Sequence, residues 1–281
     1  MYDVACDPAR SVTQKSQPIG IPGRERTRMN EIIQSLFDRK SIRAFRDLPV
    51  PEAERDMIID AALQAPTAGN QALYTIIDVR DQAIKDALAV SCDNQPFIAR
   101  APLVLVFLAD CRRWFDCYGY AGATRRKPGA GDLVLAMQDA MIAAQNAVTA
   151  AHSLGIGSCY IGDILENHDK VVELLKLDES VMPATLLVFG YPTESQRVRS
   201  KPPRFDRRFM VRQDTYSRQP EEDLRRMFDK RNGEGNDDRD KGASFDFDEY
   251  HQAFCTRKYM SDFALELNES VSRYLERFES R

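Results

Sequence analysis

No stretch of this 281-residue sequence is apolar for long enough to cross a bilayer, so a membrane-spanning protein is not expected. Cysteines at metal or redox spacing are missing too. Cys6, Cys92, Cys111, Cys117, Cys159 and Cys255 are scattered without a C-x-x-C pair, and His152, His168 and His251 do not cluster with them. A zinc site therefore has no ligand set, and reduced, mostly buried thiols in a cytoplasmic protein are expected. Basic charge is not in excess: the formal net charge is −4, without the clustered basic face of a nucleic-acid binder. Met1–Asn30 lacks the apolar core of a secretory signal and is broken by Pro8, Pro18, Gly20, Pro22 and Gly23.

What is present is ordinary globular composition, 43% hydrophobic and 29% charged. Three regions differ in character: an N-terminal arm (1–30), a compact body (31–216) and a C-terminal extension (217–281) of distinct composition. In the body, Pro51-Glu52-Ala53-Glu54 opens a helix, with proline and acids suited to its first turn, and Pro66 ends it. Tyr74–Val79, Leu103–Leu108 and Thr185–Phe189 read as strands, the second covered on both faces. Helical stretches alternate with them, so the class is α/β or α+β around one sheet. Asp132–Leu154 is apolar almost all round. Such a helix is expected to be buried on all sides, either in the core or also along a subunit interface.

Four segments carry candidate chemistry. In Arg39-Lys40-Ser41-Ile42-Arg43, an extended backbone puts Arg39, Ser41 and Arg43 on one face and Ile42 on the other. Two guanidinium forks and a hydroxyl suit a phosphate monoester. Pro66-Thr67-Ala68-Gly69-Asn70 is a small-residue turn that lets backbone approach a flat ring. Leu154–Ile164 contains Gly155 and Gly157 but lacks the continuation of a dinucleotide fingerprint, which rules that fold out; its turn Tyr160-Ile161-Gly162-Asp163 presents backbone N–H groups. Lys201–Phe209 adds a late, rigid basic segment with Lys201 and Arg204.

The order and spacing of these four segments resemble the nitroreductase-like FMN-dependent oxidoreductases over about residues 31–216. That resemblance implies an α+β fold with a central, mostly antiparallel sheet flanked by helices, followed here by a helical extension. It implies FMN as cofactor, NAD(P)H as electron donor and a homodimer with FMN at the interface. It assigns phosphate binding to Arg39, Lys40 and Ser41, with Arg43 reaching the flavin pyrimidine. It gives ring and ribityl contacts to Pro66, Thr67, Ala68 and Asn70, backbone contacts near flavin N5 to Tyr160, Ile161, Gly162 and Asp163, and late phosphate contacts to Lys201 and Arg204. The implied activity is ping-pong reduction of a nitroaromatic, quinone or similar small acceptor. No catalytic acid or base and no metal is demanded. Two positions depart from the pattern. Ala72 stands where a glutamine is often found, with Gln71 one place earlier, and Asp163 stands where many members have glycine. Other flavoenzymes of the same fold (dehalogenase or flavin reductase) and a non-catalytic flavin-binding sensor remain alternatives.

The extension holds an acidic stretch, Asp229–Phe254, that superficially resembles a calcium loop. With Gly242 as the turn glycine, however, Arg239 and Lys241 fall on ligand positions, which disqualifies it. Beyond it, Phe254, Tyr259, Phe263, Leu267, Val271, Tyr274, Leu275 and Phe278 mark one amphipathic helix in need of a partner surface.

Overall fold

The structure, a computed structural model, describes residues 29–233 and 245–279. The expected N-terminal arm, apart from its last two residues, and the ligand positions 237–242 of the rejected calcium loop lie outside the described residues.

In chain order the elements are α1 (Glu31–Asp38), α2 (Glu52–Leu63), β1 (Tyr74–Asp78), α3 (Gln82–Ser91), α4 (Pro96–Ala99), β2 (Leu103–Asp110), α5 (Arg112–Tyr120) and α6 (Ala130–Ser153). There follow β3 (Gly157–Ile161), α7 (His168–Leu175), β4 (Val181–Gly190), α8 (Glu194–Val198), α9 (Arg207–Met210), α10 (Glu221–Gly233), α11 (Phe247–Phe254) and α12 (Asp262–Glu279). Single 3₁₀ turns occur at Ala68–Asn70 and Asp163–Leu165.

The four strands form one sheet in the order β1-β2-β4-β3, every pairing antiparallel. The fold is therefore α+β. Strand alternation divides the core in two. Leu103, Leu105 and Phe107 of β2 face α2 and the alanine-rich side of α6, whereas Val104, Val106 and Leu108 face α3, α7 and α12. Both faces are covered, which explains why β2 and β4 read as continuous apolar runs although the sheet is antiparallel. β4 carries Pro183 in mid-strand. A proline cannot donate to a ladder, and the register slips there, between Phe107 and Leu108 on the partner strand.

Three expectations change. The helix starting near Asp132 is amphipathic within one chain: Ala136, Ala140, Ala143, Ala144 and Ala147 are fully buried, but Val134, Leu135, Met141 and Ile142 are exposed. The single amphipathic helix drawn through 254–278 is two, because a π-helical turn at Cys255–Tyr259 separates α11 from α12. And α12 is not an appendage: Tyr274 and Phe278, each 1% exposed, are part of the core beneath the sheet.

Candidate functional site

The segment 39–43 lies along the free edge of β3. Ser41 bridges Ser158 in parallel, with Ile42 N–H donating to Ser158 O at 2.9 Å. Ile42 is buried against Gly157, where a Cβ would come within 2.5 Å of Ile42 Cγ1, so only glycine admits this close seating. With Ile42 turned inward, Ser41 and Arg43 face outward, as the alternation requires. Arg39 lies over the Tyr160 ring, 5.4 Å from its centroid.

Arg39 is the informative member. Its Nε and Nη2 are buried without a hydrogen-bond partner. A guanidinium left unmatched at a half-buried position costs stability unless an anion completes it. The surroundings are cationic: Arg39 and Lys201 both depress the basicity of His152, after burial, and Arg39 and Arg204 do the same to Lys201. Arg39, Lys40, His152, Gly155, Arg197 and Lys201 line a cavity of about 470 Å³. Asp38 also lines it and is the acid that bears on His152 and Lys201. The donor set fits a phosphate monoester.

The other expected contacts are distributed differently. Lys40 Nζ donates to the carbonyls of Arg197, at 2.8 Å, and Arg199. It thus fastens the 197–199 backbone to the 39–43 segment. Lys201 Nζ donates to Phe37 O and sits 3.4 Å from Leu36 O, satisfying the C-terminal carbonyls of α1. Arg204 is exposed and donates to Pro202 O at 3.0 Å. Ser41, Arg43, the 66–70 loop and the 160–163 turn lie outside the walls of this cavity.

The 66–70 loop is held in an unusual backbone. Gly69, Asn70 and Ala72 all have positive φ, at 57°, 56° and 50°. Such a run persists only when its surroundings fix it. Asp139, on α6, does so: it is 2% exposed, and its two oxygens accept from Ala68 N–H at 2.9 Å and Leu73 N–H at 3.1 Å, gripping the loop at both ends. Thr67 Oγ1 accepts from Ala72 N–H, and Trp114 Nε1 donates to Gln71 O at 2.8 Å. Pro66, Gly69 and Asn70 remain exposed. Asp139 carries no mark of this role in the sequence around it. Its partners lie 71 and 66 residues away, which no local pattern reveals.

At the end of β3, Tyr160 donates to Gln145 Oε1 at 3.2 Å, and burial pushes its hydroxyl up to about 12. Ile161 is buried, Gly162 is exposed and Asp163 is half-buried. Asp163 Oδ2 accepts from the Gln95 side-chain amide. Cys159, buried beside Ser41 and Arg43, has its thiol raised by burial, against the pull of Arg43. Among the described residues no group of three or more His, Cys, Asp or Glu could hold a metal, and no helix is long and apolar enough to cross a membrane.

The chain is similar to several known proteins. The model of the nitroreductase family matches residues 36–191. An FMN reductase (NAD(P)H) of Bacillus subtilis strain 168 is 35% identical over 197 residues, 69% of this chain and 77% of the relative. An oxygen-insensitive NADPH nitroreductase of Salmonella typhimurium strain LT2 is 35% identical over 188 residues, 67% of this chain and 75% of the relative. A solved B. subtilis nitroreductase matches with a TM-score of 0.74 at 27% identity, covering 85% of this chain and 98% of its own.

Proposed function

The chain belongs to the nitroreductase family, and from that membership we propose an NAD(P)H-dependent flavin oxidoreductase that holds FMN along the outer edge of β3. The observation that carries this reading is the Arg39 guanidinium, whose buried Nε and Nη2 lack partners beside a cationic cavity. Arg39 and Ser41 would hold the phosphate, with Lys201 adding positive potential and Arg204 at the margin. Lys40 contributes indirectly, by tethering 197–199. The 66–70 loop and the 160–163 turn would face the ring, and Arg43 would oppose negative charge on the pyrimidine edge. When bound, FMN supplies the redox chemistry, accepting a hydride from NAD(P)H and passing electrons to a small acceptor in a second half-reaction, by a ping-pong mechanism. The chain's own task is to hold the ring, keep one face accessible and fix the charge around it.

The test is the absorbance spectrum of purified protein, with FMN titration. Arg39→Ala is expected to weaken FMN binding by roughly ten- to a hundredfold, the worth of about 1.5–3 kcal/mol for charged hydrogen bonds. A wild-type protein that is colourless and binds no added FMN defeats the reading. Rapid mixing with NADPH or NADH separates an enzyme, whose flavin bleaches at once, from a flavin-binding sensor. As acceptor, free flavin stands beside nitroaromatics and quinones, since the B. subtilis relative is named an FMN reductase.

A homodimer is part of the proposal. Ile32, Ile33, Leu36 and Phe37 of α1 are exposed, as are Val134, Leu135, Met141 and Ile142 of α6. A second copy of the chain would cover both stripes.

A further inference from the structure

The turn after β3 meets the link from α3 to α4 at a group of acids that lack a counter-charge. Glu166 closes the 3₁₀ turn Asp163–Leu165 and is 2% exposed. Three other carboxyl groups bear on it: Asp163 from its own turn, Asp93 from the α3–α4 link and Glu266 from α12. The buried Cys92 thiol lies in the same field, and it is neutral, raised by burial and by Asp163, Glu166 and Asp93 to about 12. Among the described residues none of the four acids forms an ion pair, and no metal cluster is available to supply the missing charge.

The hydrogen bonds leave one way to satisfy this arrangement. Gln95 Nε2 donates to Asp163 Oδ2 and to Cys92 O, the latter at 2.9 Å, so the amide is spent on Asp163 and the link backbone. Asn167 Nδ2 donates to Ser91 O at 3.0 Å and is likewise committed. Asp163 bears on the Glu166 carboxyl from within the same turn, and Glu166 Oε1 is buried with no partner at all. An ionised carboxylate only accepts, so no neighbouring acid can satisfy a charged Glu166. A carboxyl shut away from water beside other acids, with no ion-pair partner, is stabilised by keeping its proton. A solvated acidic face would need neither condition, but Glu166 is closed off from water. The Ser270 hydroxyl of α12 shuts it in, donating to Leu165 O at 2.7 Å and accepting from His168 N–H at 3.1 Å on either side of Glu166.

We infer that Glu166 is a neutral acid whose proton is donated to the Asp163 carboxylate, and that this pair is a positioning device that aims the Gly162–Asp163 turn and sets the negative charge beside it. The second half rests on the flavin reading above, which makes this turn a neighbour of the cofactor. The first half does not. Burial, then Asp163, Asp93 and Glu266, raise Glu166 to about 8, so at neutral pH the pair holds one proton and one charge. In alkaline solution it holds two charges, and the turn is pushed apart from the link.

The experiment uses the FMN-loaded protein and two isosteric variants, Glu166→Gln and Asp163→Asn. Infrared difference spectra across a pH titration are expected to contain a protonated-carboxyl band that disappears in the mildly alkaline range. That band should be lost in Glu166→Gln, and its titration should move to lower pH in Asp163→Asn. The flavin midpoint potential of the wild type should bend downward over the same range, whereas that of Glu166→Gln should run straight. A wild type without the band, or a band that survives in Glu166→Gln, overturns the proton assignment. A band that behaves as expected with a potential that ignores it overturns the positioning role. If the protein takes up no FMN, the flavin reading falls while the infrared titration still decides the pair.

Discussion

At the scale of single residues, the most consequential side chain outside the basic segment is Asp139. Its carboxylate accepts one backbone N–H from each end of the 66–73 loop. Asp139→Asn keeps the shape but replaces one acceptor by an NH₂ that faces a donor. The expected cost is about 1–3 kcal/mol, the penalty of a buried group left unpaired. Chemical unfolding should record it, and amide exchange should accelerate selectively at Ala68 and Leu73. Glu166 gives a prediction in pH. Its folded value, about 8, lies above its ordinary 4.5, so the folded state binds this proton more tightly than the unfolded chain. The associated stability is fully present below about pH 4.5 and is lost as pH rises towards about 8. The difference in melting temperature between wild type and Glu166→Gln, measured across that window, should follow this course.

The sequence discloses part of this residue-scale picture. Alternation around Ile42 made the outward face of 39–43 readable, because period two is a property of the backbone itself. What a cation will meet is not such a property. Lys40 and Lys201 look like phosphate ligands in a basic run, yet each is engaged by main-chain carbonyls contributed from far along the chain. Glu166 had no local signature at all. Its neutrality follows from burial under α12, 100 residues downstream, and from Asp93 across a gap between helices.

Among the elements, the strands were the most legible. Leu103–Leu108 and Thr185–Phe189 are apolar runs bounded by turn residues, and both extend only a few positions further in the structure. The last helices were less so. Aromatic residues continue at helical spacing through Tyr259, so nothing in the pattern betrays the π-helical turn that separates α11 from α12. Nor does a pattern reveal which surface an amphipathic helix covers. α12 buries Tyr274 and Phe278 beneath the sheet, and Tyr274 meets His168 edge-on at 4.4 Å between centroids. Phe278→Ala is expected to cost about 3–5 kcal/mol in chemical unfolding. Truncation at Tyr216, which looks harmless from composition, should therefore destabilise the body rather than free it of an accessory lobe.

For the whole molecule, the surface left apolar is the guide. α6 presents alanines to the sheet and larger side chains outward, a distribution that a lone chain in water does not favour. Ile142→Glu would set a charge in the middle of that outer stripe. It should convert a dimer to monomers in sedimentation velocity and, if the cofactor lies between subunits, weaken FMN binding in parallel. A wild-type protein that sediments as a monomer would count against the dimer.

The clasp between α12 and the β3–α7 connection also bears on how the chain is made. The Ser270–Leu165 hydrogen bond joins residues 105 apart. At a synthesis rate of about 5–20 residues per second, α12 follows the segment it closes by on the order of 5–20 s. Throughout that interval the sheet face carrying Val104, Val106 and Val188 has α3 and α7 against it but lacks the cover that Tyr274 and Phe278 provide. The growing chain therefore offers part of an apolar surface to its surroundings until α12 has been made, and yield should depend on chaperone supply and culture temperature more than the stability of the finished protein suggests.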